Sequence, residues 1–227
     1  MTNSLEAIIL TIKLAGVTSL ILLLIGLPVA WWLAHWRHPA KPLVQAIIAL
    51  PLVLPPTVLG FYLLIALSPQ SPLGQAWETL TGSPLAFSFS ALVIGSVIYS
   101  LPFTVQPLTM GFQQLDSRYL EAGRCLNMPA RARFFRIVLP LIRPQLVTAA
   151  GLSFAHTVGE FGVVLMIGGN IPGQTRVLSV ALFDHVEALN YAEAHWLAGG
   201  LLVFSALMLT VLYRFNRQGT PWTLPSR

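Results

Sequence analysis

The chain has 227 residues, of which 55% are hydrophobic and 9% are charged, where a soluble domain carries about 25% charged residues. That excludes an ordinary soluble globular domain and predicts an integral membrane protein. The formal charge of +5 is unevenly spread, which excludes a nucleic-acid-binding face and reads as basic loops biased towards the cytoplasm; the single Cys125 excludes an internal disulfide and a thiolate metal cluster.

The first apolar run, residues 4–34, is too long for the core of a cleaved leader, which takes about 7–15 residues. No positive cluster precedes it, so it is predicted to span the membrane. Four further stretches follow, 43–67, 85–110, 145–168 and 196–213. A bilayer core about 30 Å thick takes about 20 apolar residues as helix. Lipid offers no partner to a free backbone group, so each stretch is predicted helical. The expected architecture is all-α, a single membrane domain over 1–227 with about five transmembrane helices and a core of about 5–214. Prolines interrupt these spans at Pro28, Pro51, Pro55, Pro56, Pro102 and Pro107. Isolated ones read as tolerated kinks. Pro51, Pro55 and Pro56 fall within six residues, which predicts a broken or strongly bent second span, a feature typical of backbone lining a pathway.

Charge alternates between the connections. Arg37 and Lys41 separate spans one and two, and no Lys or Arg separates two and three. Arg118, Arg124, Arg131, Arg133, Arg136 and Arg143 separate three and four. Only Arg176 lies between four and five, and Arg214, Arg217 and Arg227 follow the last span. Eleven of thirteen basic residues thus fall on one side, with Lys13 and Arg176 on the other. The N-terminus is predicted outside and the C-terminus in the cytoplasm. Residues around 177–186 are expected as a short helix at the outer surface or dipping into the membrane.

The basic island, 111–143, is predicted to be a cytoplasmic helix–turn–helix. Asp116 or Ser117 caps a helix over about 118–126, Asn127 and Met128 turn, and Pro129 opens a second helix to about Leu139. Met128, Phe134 and Phe135 supply apolar anchors among the arginines. Such a piece fits a groove on a partner or lies on the anionic inner leaflet; charge alone does not separate the two.

Glu160 is the one acid deep in a span, with His156 four residues before it on the same helical face. It reads as a pathway or gate residue or as a paired structural acid, and a bare carboxylate suits an anion pathway poorly. Gly159 and Gly162 flank it and are expected to permit close helix approach. The five histidines have no metal-ligand spacing. Lys13 and Lys41 follow Ile12 and Ala40, so there is no phosphate-binding loop. The chain is not predicted to be an enzyme or to hold a cofactor.

Glu121-Ala122-Gly123, three residues, Asn127, nine residues and Ile137-Val-Leu139-Pro140 resemble the Glu-Ala-Ala motif of ABC importer permeases. Gly123 stands for its second alanine and Asn127 for its glycine, a residue that also accepts a left-handed turn. The run from Leu50 to Gly60, Gly159-Glu160-Phe161-Gly162, and Asn170-Ile-Pro172-Gly173-Gln174-Thr175-Arg176 resemble the molybdate-type members. The likeness covers about residues 5–214. It implies a type I importer permease in a bacterial-type inner membrane, paired with a second permease copy around a central pathway. It further implies two cytoplasmic ATPase subunits seated on the 111–143 loop and an extracytoplasmic oxyanion-binding protein. Glu121, Ala122, Gly123, Asn127, Met128, Pro129, Ile137, Leu139 and Pro140 would couple to the ATPase. Pro55, Pro56, Gly159, Glu160, Phe161 and Gly162 would line the pathway or gate. Asn170, Pro172, Gly173, Gln174, Thr175 and Arg176 would meet the binding protein. A sulfate or other oxyanion permease is the alternative. A carrier or channel would need coupling acids in several spans.

Overall fold

The computed structural model describes residues 2–217, with side chains from Ser4 to Phe215; Arg227, counted above with the tail charges, lies outside them. α1 (Thr2–His35) runs 34 residues, about 50 Å at the helical rise of about 1.5 Å per residue. α5 (Phe89–Gln113) and α9 (Arg143–Gly159) pack against it and against each other. Small residues line these contacts. Thr18, Ser19, Ser100, Thr104 and Ser153 are buried, and a Cβ on Gly26 would stand 2.8 Å from Thr104 Cγ2. Membrane helices approach closely through such residues because lipid supplies no hydrophobic drive between them.

Two apolar clusters fill the bundle. One gathers Leu10, Leu14, Leu63, Leu92, Val163 and Ile167 near the start of α1. The other gathers Ala30, Leu33, Leu108, Phe112, Val138 and Ile142 near its end.

The second predicted span is two pieces. α2 (Lys41–Ala49) passes into a 3₁₀ turn (Leu50–Leu52), and α3 (Pro56–Leu67) leaves at 103° to it. Three prolines within six residues deny this segment the donors a continuous helix needs. The fourth predicted span needs correction. It starts at Arg143 rather than Gln145 and is not continuous: α9 stops at Gly159, and α10 (Gly162–Gly168) resumes after Glu160 and Phe161. α10 packs on α3 and α5. Three described helices are long and apolar enough to cross a membrane, and by length and composition there are up to five spans if the bent pairs Lys41–Leu52 with Pro56–Leu67 and Ala130–Leu141 with Arg143–Gly159 each count as one.

The connection from 68 to 88 carries a helix, α4 (Pro72–Thr81), absent from the sequence reading. Ser71 caps it by accepting a hydrogen bond from Gly74 N, and Gly82 ends it in the left-handed conformation. α11 (Leu178–Glu187) is the expected short helix, and Thr11 Oγ1 ties its first N–H to α1 at 2.8 Å. α12 (Tyr191–Arg217) exceeds its predicted span of 196–213 at both ends. It packs on α9 and α11 and exposes Leu202, Val203, Leu207 and Val211.

Candidate functional site

Three regions carry the candidate residues. The first is the basic loop. α6 (Ser117–Cys125) is capped by Asp116, which accepts from Arg118 N at 2.9 Å. It ends in a double backbone closure: Asn127 N donates to Arg124 O at 2.9 Å and Met128 N to Gly123 O at 3.0 Å. Asn127 sits at φ +52°. This is a left-handed helix stop in which orphan carbonyls find donors. Arg133 Nη1 adds a hydrogen bond to Met128 O at 2.7 Å.

Pro129 stands just before the second helix, one position earlier than expected. That helix comprises α7 (Ala130–Arg133), a turn of π-helix (Phe134–Val138) and α8 (Leu139–Leu141), and meets α9 at 72°. A Cβ on buried Gly123 would stand 2.9 Å from both Arg133 Cδ and Ile137 Cδ1. The second helix therefore crosses α6 at the position where the motif departs from alanine.

The anchors need one correction. Phe134 turns inward, edge-on to Trp31 at 5.6 Å, and only its neighbour Phe135 points out. Met128 is half-buried. Tyr119 and Leu126, which sequence reasoning did not single out, are exposed, Leu126 to 74%. Glu121, Ala122 and Pro129 are exposed beside them, whereas Ile137 and Leu139 are half-buried and Pro140 is exposed. The loop thus offers apolar side chains among arginines, and the one ion pair there among the described residues, Arg118–Asp116, at 3.9 Å and largely solvated, neutralises little.

The second region is the break in the fourth span. Glu160 is 3% exposed. Ser96 Oγ donates to its Oε2 at 2.7 Å, while Oε1 is buried without a partner. Ser179 Oγ, from α11, donates to the Glu160 carbonyl at 2.6 Å, meeting an acceptor that the helix break leaves open. His156 does not pair with Glu160. It shares a hydrogen bond of 2.8 Å with Ser100 Oγ and stacks on Phe103 at 4.1 Å.

Pro55 precedes α3 in extended conformation and Pro56 begins it. A Cβ on Gly162 would stand 2.8 Å from Pro56 Cβ, so the starts of the two short helices abut. A Cβ on Gly159 would meet nothing within 4 Å, so only Gly162 serves the close approach expected of both. Pro56, Thr57, Tyr99, His156 and Glu160 through Gly162 surround a cavity of about 520 Å³. Both broken segments therefore meet at one cavity, with polar groups of α5 and α9 on its wall.

The third region is the loop after α10. Asn170, Pro172, Gly173 and Gln174 are exposed and Thr175 is fully buried. Its Oγ1 donates to Gly168 O at 2.6 Å and accepts from Ile171 N at 3.2 Å. Arg176 Nη2 meets Asp184 Oδ2 at 2.6 Å, both side chains about four-fifths buried. Asn170 Nδ2 donates to both Asp184 oxygens at 2.8 Å. The positive charge that the sequence offers to an incoming anion is therefore spent on Asp184. Gly169 and Gly173, at φ +65° and +74°, make the two sharp turns.

The family model for "binding-protein-dependent transport system inner membrane component" matches residues 26–221. The molybdenum transport system permease protein ModB of Azotobacter vinelandii is 54% identical over 95% of each chain. The sulfate transport system permease protein CysT of Escherichia coli is 31% identical over 92% of this chain and 76% of its own. Among solved structures, a chain of the MetNI methionine ABC transporter in an inward-facing conformation superposes with TM-score 0.71 and 18% identity, covering 96% of both chains. That likeness gives the fold as the type I importer permease fold.

Proposed function

Because this chain belongs to the binding-protein-dependent transport system inner membrane components, we propose that it is the membrane subunit of an ATP-driven importer of molybdate, with tungstate as a second cargo. The observation that carries the substrate is the 54% identity to a molybdenum permease over 95% of both chains. The sulfate permease is 31% identical, so that alternative has the weaker support.

The chain acts in the inner membrane as one domain, with its N-terminus outside and its C-terminus in the cytoplasm. Two copies enclose the pathway between them, and exposed apolar faces such as that of α12 meet lipid. ATP hydrolysis belongs to a separate subunit. Two such subunits seat the 111–143 loop, with Glu121, Ala122, Leu126 and Phe135 at the contact and Gly123, Asn127, Ile137 and Leu139 holding its shape. When the ATPases close, the loop carries α5 and α9 as rigid bodies.

The cavity at Pro56 and Gly159–Gly162, next to Pro55 in the chain, lies on the pathway. Glu160, bound to Ser96, fixes its wall rather than meeting the anion. Asn170, Pro172, Gly173 and Gln174 face the docked binding protein, while Thr175 and Arg176 hold that loop in shape. Selection rests with the binding protein, since conduction requires weak binding along the path.

The test is reconstitution with ATPase and oxyanion-binding protein. Molybdate and tungstate uptake should depend strictly on both partners and on ATP. Uptake confined to sulfate would refute the substrate, and uptake without ATP would refute the importer.

A further inference from the structure

α5 presents Gln106, its C-cap is Gln114, and α9 presents Gln145, all around one cavity of about 360 Å³. Gln106 lies well inside α5 and is exposed on the single chain. An amide facing hydrocarbon without partners costs roughly 2–7 kcal/mol, so this face turns towards water or protein. The Oε1 of Gln145 is buried with no hydrogen-bond partner. Turning that amide over would leave an N–H in the same place.

Gln145 lies across α5 because residue 111 is glycine: a Cβ there would stand 2.8 Å from Gln145 Cγ. Thr148 also borders the cavity, but its hydroxyl donates to Pro144 O at 2.9 Å. The amides are the other polar side chains on its wall. Among the described residues, no Asp, Glu, Lys or Arg lines the cavity. Phe103, stacked on His156 at 4.1 Å, separates it from the cavity at Glu160.

We propose that Gln106, Gln114 and Gln145 form a transient subsite for a tetrahedral oxyanion dianion. This rests on the importer reading and adds to it the residues that hold the ion in passage. Each primary amide brings two N–H donors. Neutral donors solvate a dianion without a countercharge, so they hold it weakly enough to release it. The chemistry is common to molybdate, tungstate and sulfate, and the subsite does not choose among them.

Its position also links it to the motor. Gln114 caps the end of α5, and Gln145 is the third residue of α9. They stand at the two roots of the loop that meets the ATPase. A tilt of that loop changes the separation of the amides, so one state of the cycle assembles the subsite and the other opens it.

The experiment uses the full complex with ATPase and binding protein in proteoliposomes. Gln106→Glu and Gln145→Glu keep shape and put a carboxylate where the anion passes. Each should lower molybdate uptake by roughly tenfold or more, because like charges meet at close range. Gln106→Asn and Gln145→Asn, which keep the amide, should retain much of it. A wild-type complex that moves no molybdate overturns the importer reading. A wild type that moves it, with both Glu variants its equal, overturns the subsite alone.

A second measurement does not depend on turnover. On a Cys125→Ser background, Leu52→Cys places a thiol on the cavity wall. Excess tungstate, but not chloride at equal ionic strength, should slow its reaction with a charged methanethiosulfonate. Labelling indifferent to tungstate overturns the subsite, even where the Glu variants assemble too poorly to assay.

Discussion

The two loops at opposite ends of the bundle use similar parts to opposite ends. The basic loop turns at Asn127 and leaves Tyr119, Leu126 and Phe135 exposed among arginines. The loop after α10 turns at Gly169 and Gly173, buries Thr175 and closes Arg176 onto Asp184. One keeps its charge and apolar surface available to a partner. The other spends its specific interactions on its own shape and leaves Asn170 to Gln174 exposed. On the proposed reading the first would transmit force to the helices, and the second would close an opening without gripping what passes.

The largest expected effect tests which loop is inside. A reporter fused after Arg131 should be cytoplasmic and one after Thr81 outside. One after Gln218, a point beyond the described residues, should also be cytoplasmic. An outside Arg131 fusion would reverse the whole comparison.

Next in size are changes to the knob. Glu121→Lys and Leu126→Asp should each lower ATP-driven uptake by roughly tenfold or more, as expected when an interface residue worth above about 1.4 kcal/mol is lost. A bulky helix former in place of Pro129 should act in the same direction. Membrane insertion should be unchanged. Co-purification of the ATPase with each variant separates failed docking from docking without coupling. Normal uptake and assembly would remove the loop from the coupling role.

The loop after α10 should answer differently. Thr175→Val leaves Gly168 O and Ile171 N without their partner, at a cost of about 1–3 kcal/mol. The loop should become more open to protease while the ATPase stays bound. Arg176→Ala and Asp184→Asn, with the double variant, form a cycle whose coupling should be about 1 kcal/mol or more, since both side chains are largely buried. A coupling near zero would mean that the pair does not close the loop.

The same contrast explains what the sequence made legible. The basic loop could be read because its stops are local: Asp116 caps two residues on, and Asn127 and Met128 close against Arg124 and Gly123. The elbow at Pro51, Pro55 and Pro56 was visible because prolines act on their own helix. The break at Glu160 was not, because what sustains it is distant. Ser96 lies 64 residues away and Ser179 lies 19. Arg176 looked free because Asp184 reaches it only once α11 has folded back. The choice of Phe135 over Phe134 as the outward ring depends on a turn of π-helix, whose phase no 3.6-residue pattern contains. The amides of the α5–α9 cavity left no signal either, because Gln106 and Gln145 become neighbours only through Gly111.

The smallest effect bears on the two positions where the loop departs from the permease motif. Asn127 holds φ +52°, where an ordinary side chain pays about 1–2 kcal/mol. Asn127→Gly should therefore be neutral or stabilising by a few tenths of a kcal/mol, and Asn127→Val should be destabilising by about 1–2 kcal/mol. Gly123→Ala puts a methyl 2.9 Å from Arg133 Cδ and Ile137 Cδ1. Both are ends of flexible side chains, so the loss should stay below about 1–3 kcal/mol, the usual cost of overpacking. The displaced Arg133 should weaken its bond to Met128 O. Thermal melting of the purified complex gives the stabilities, and the number of anions moved per ATP reports the coupling. If Gly123→Ala lowers that number while melting is unchanged, the crossing of the second helix over α6 sets the docking geometry. If both are unchanged, the glycine only relieves crowding, and the knob tolerates the motif's alanine as it stands.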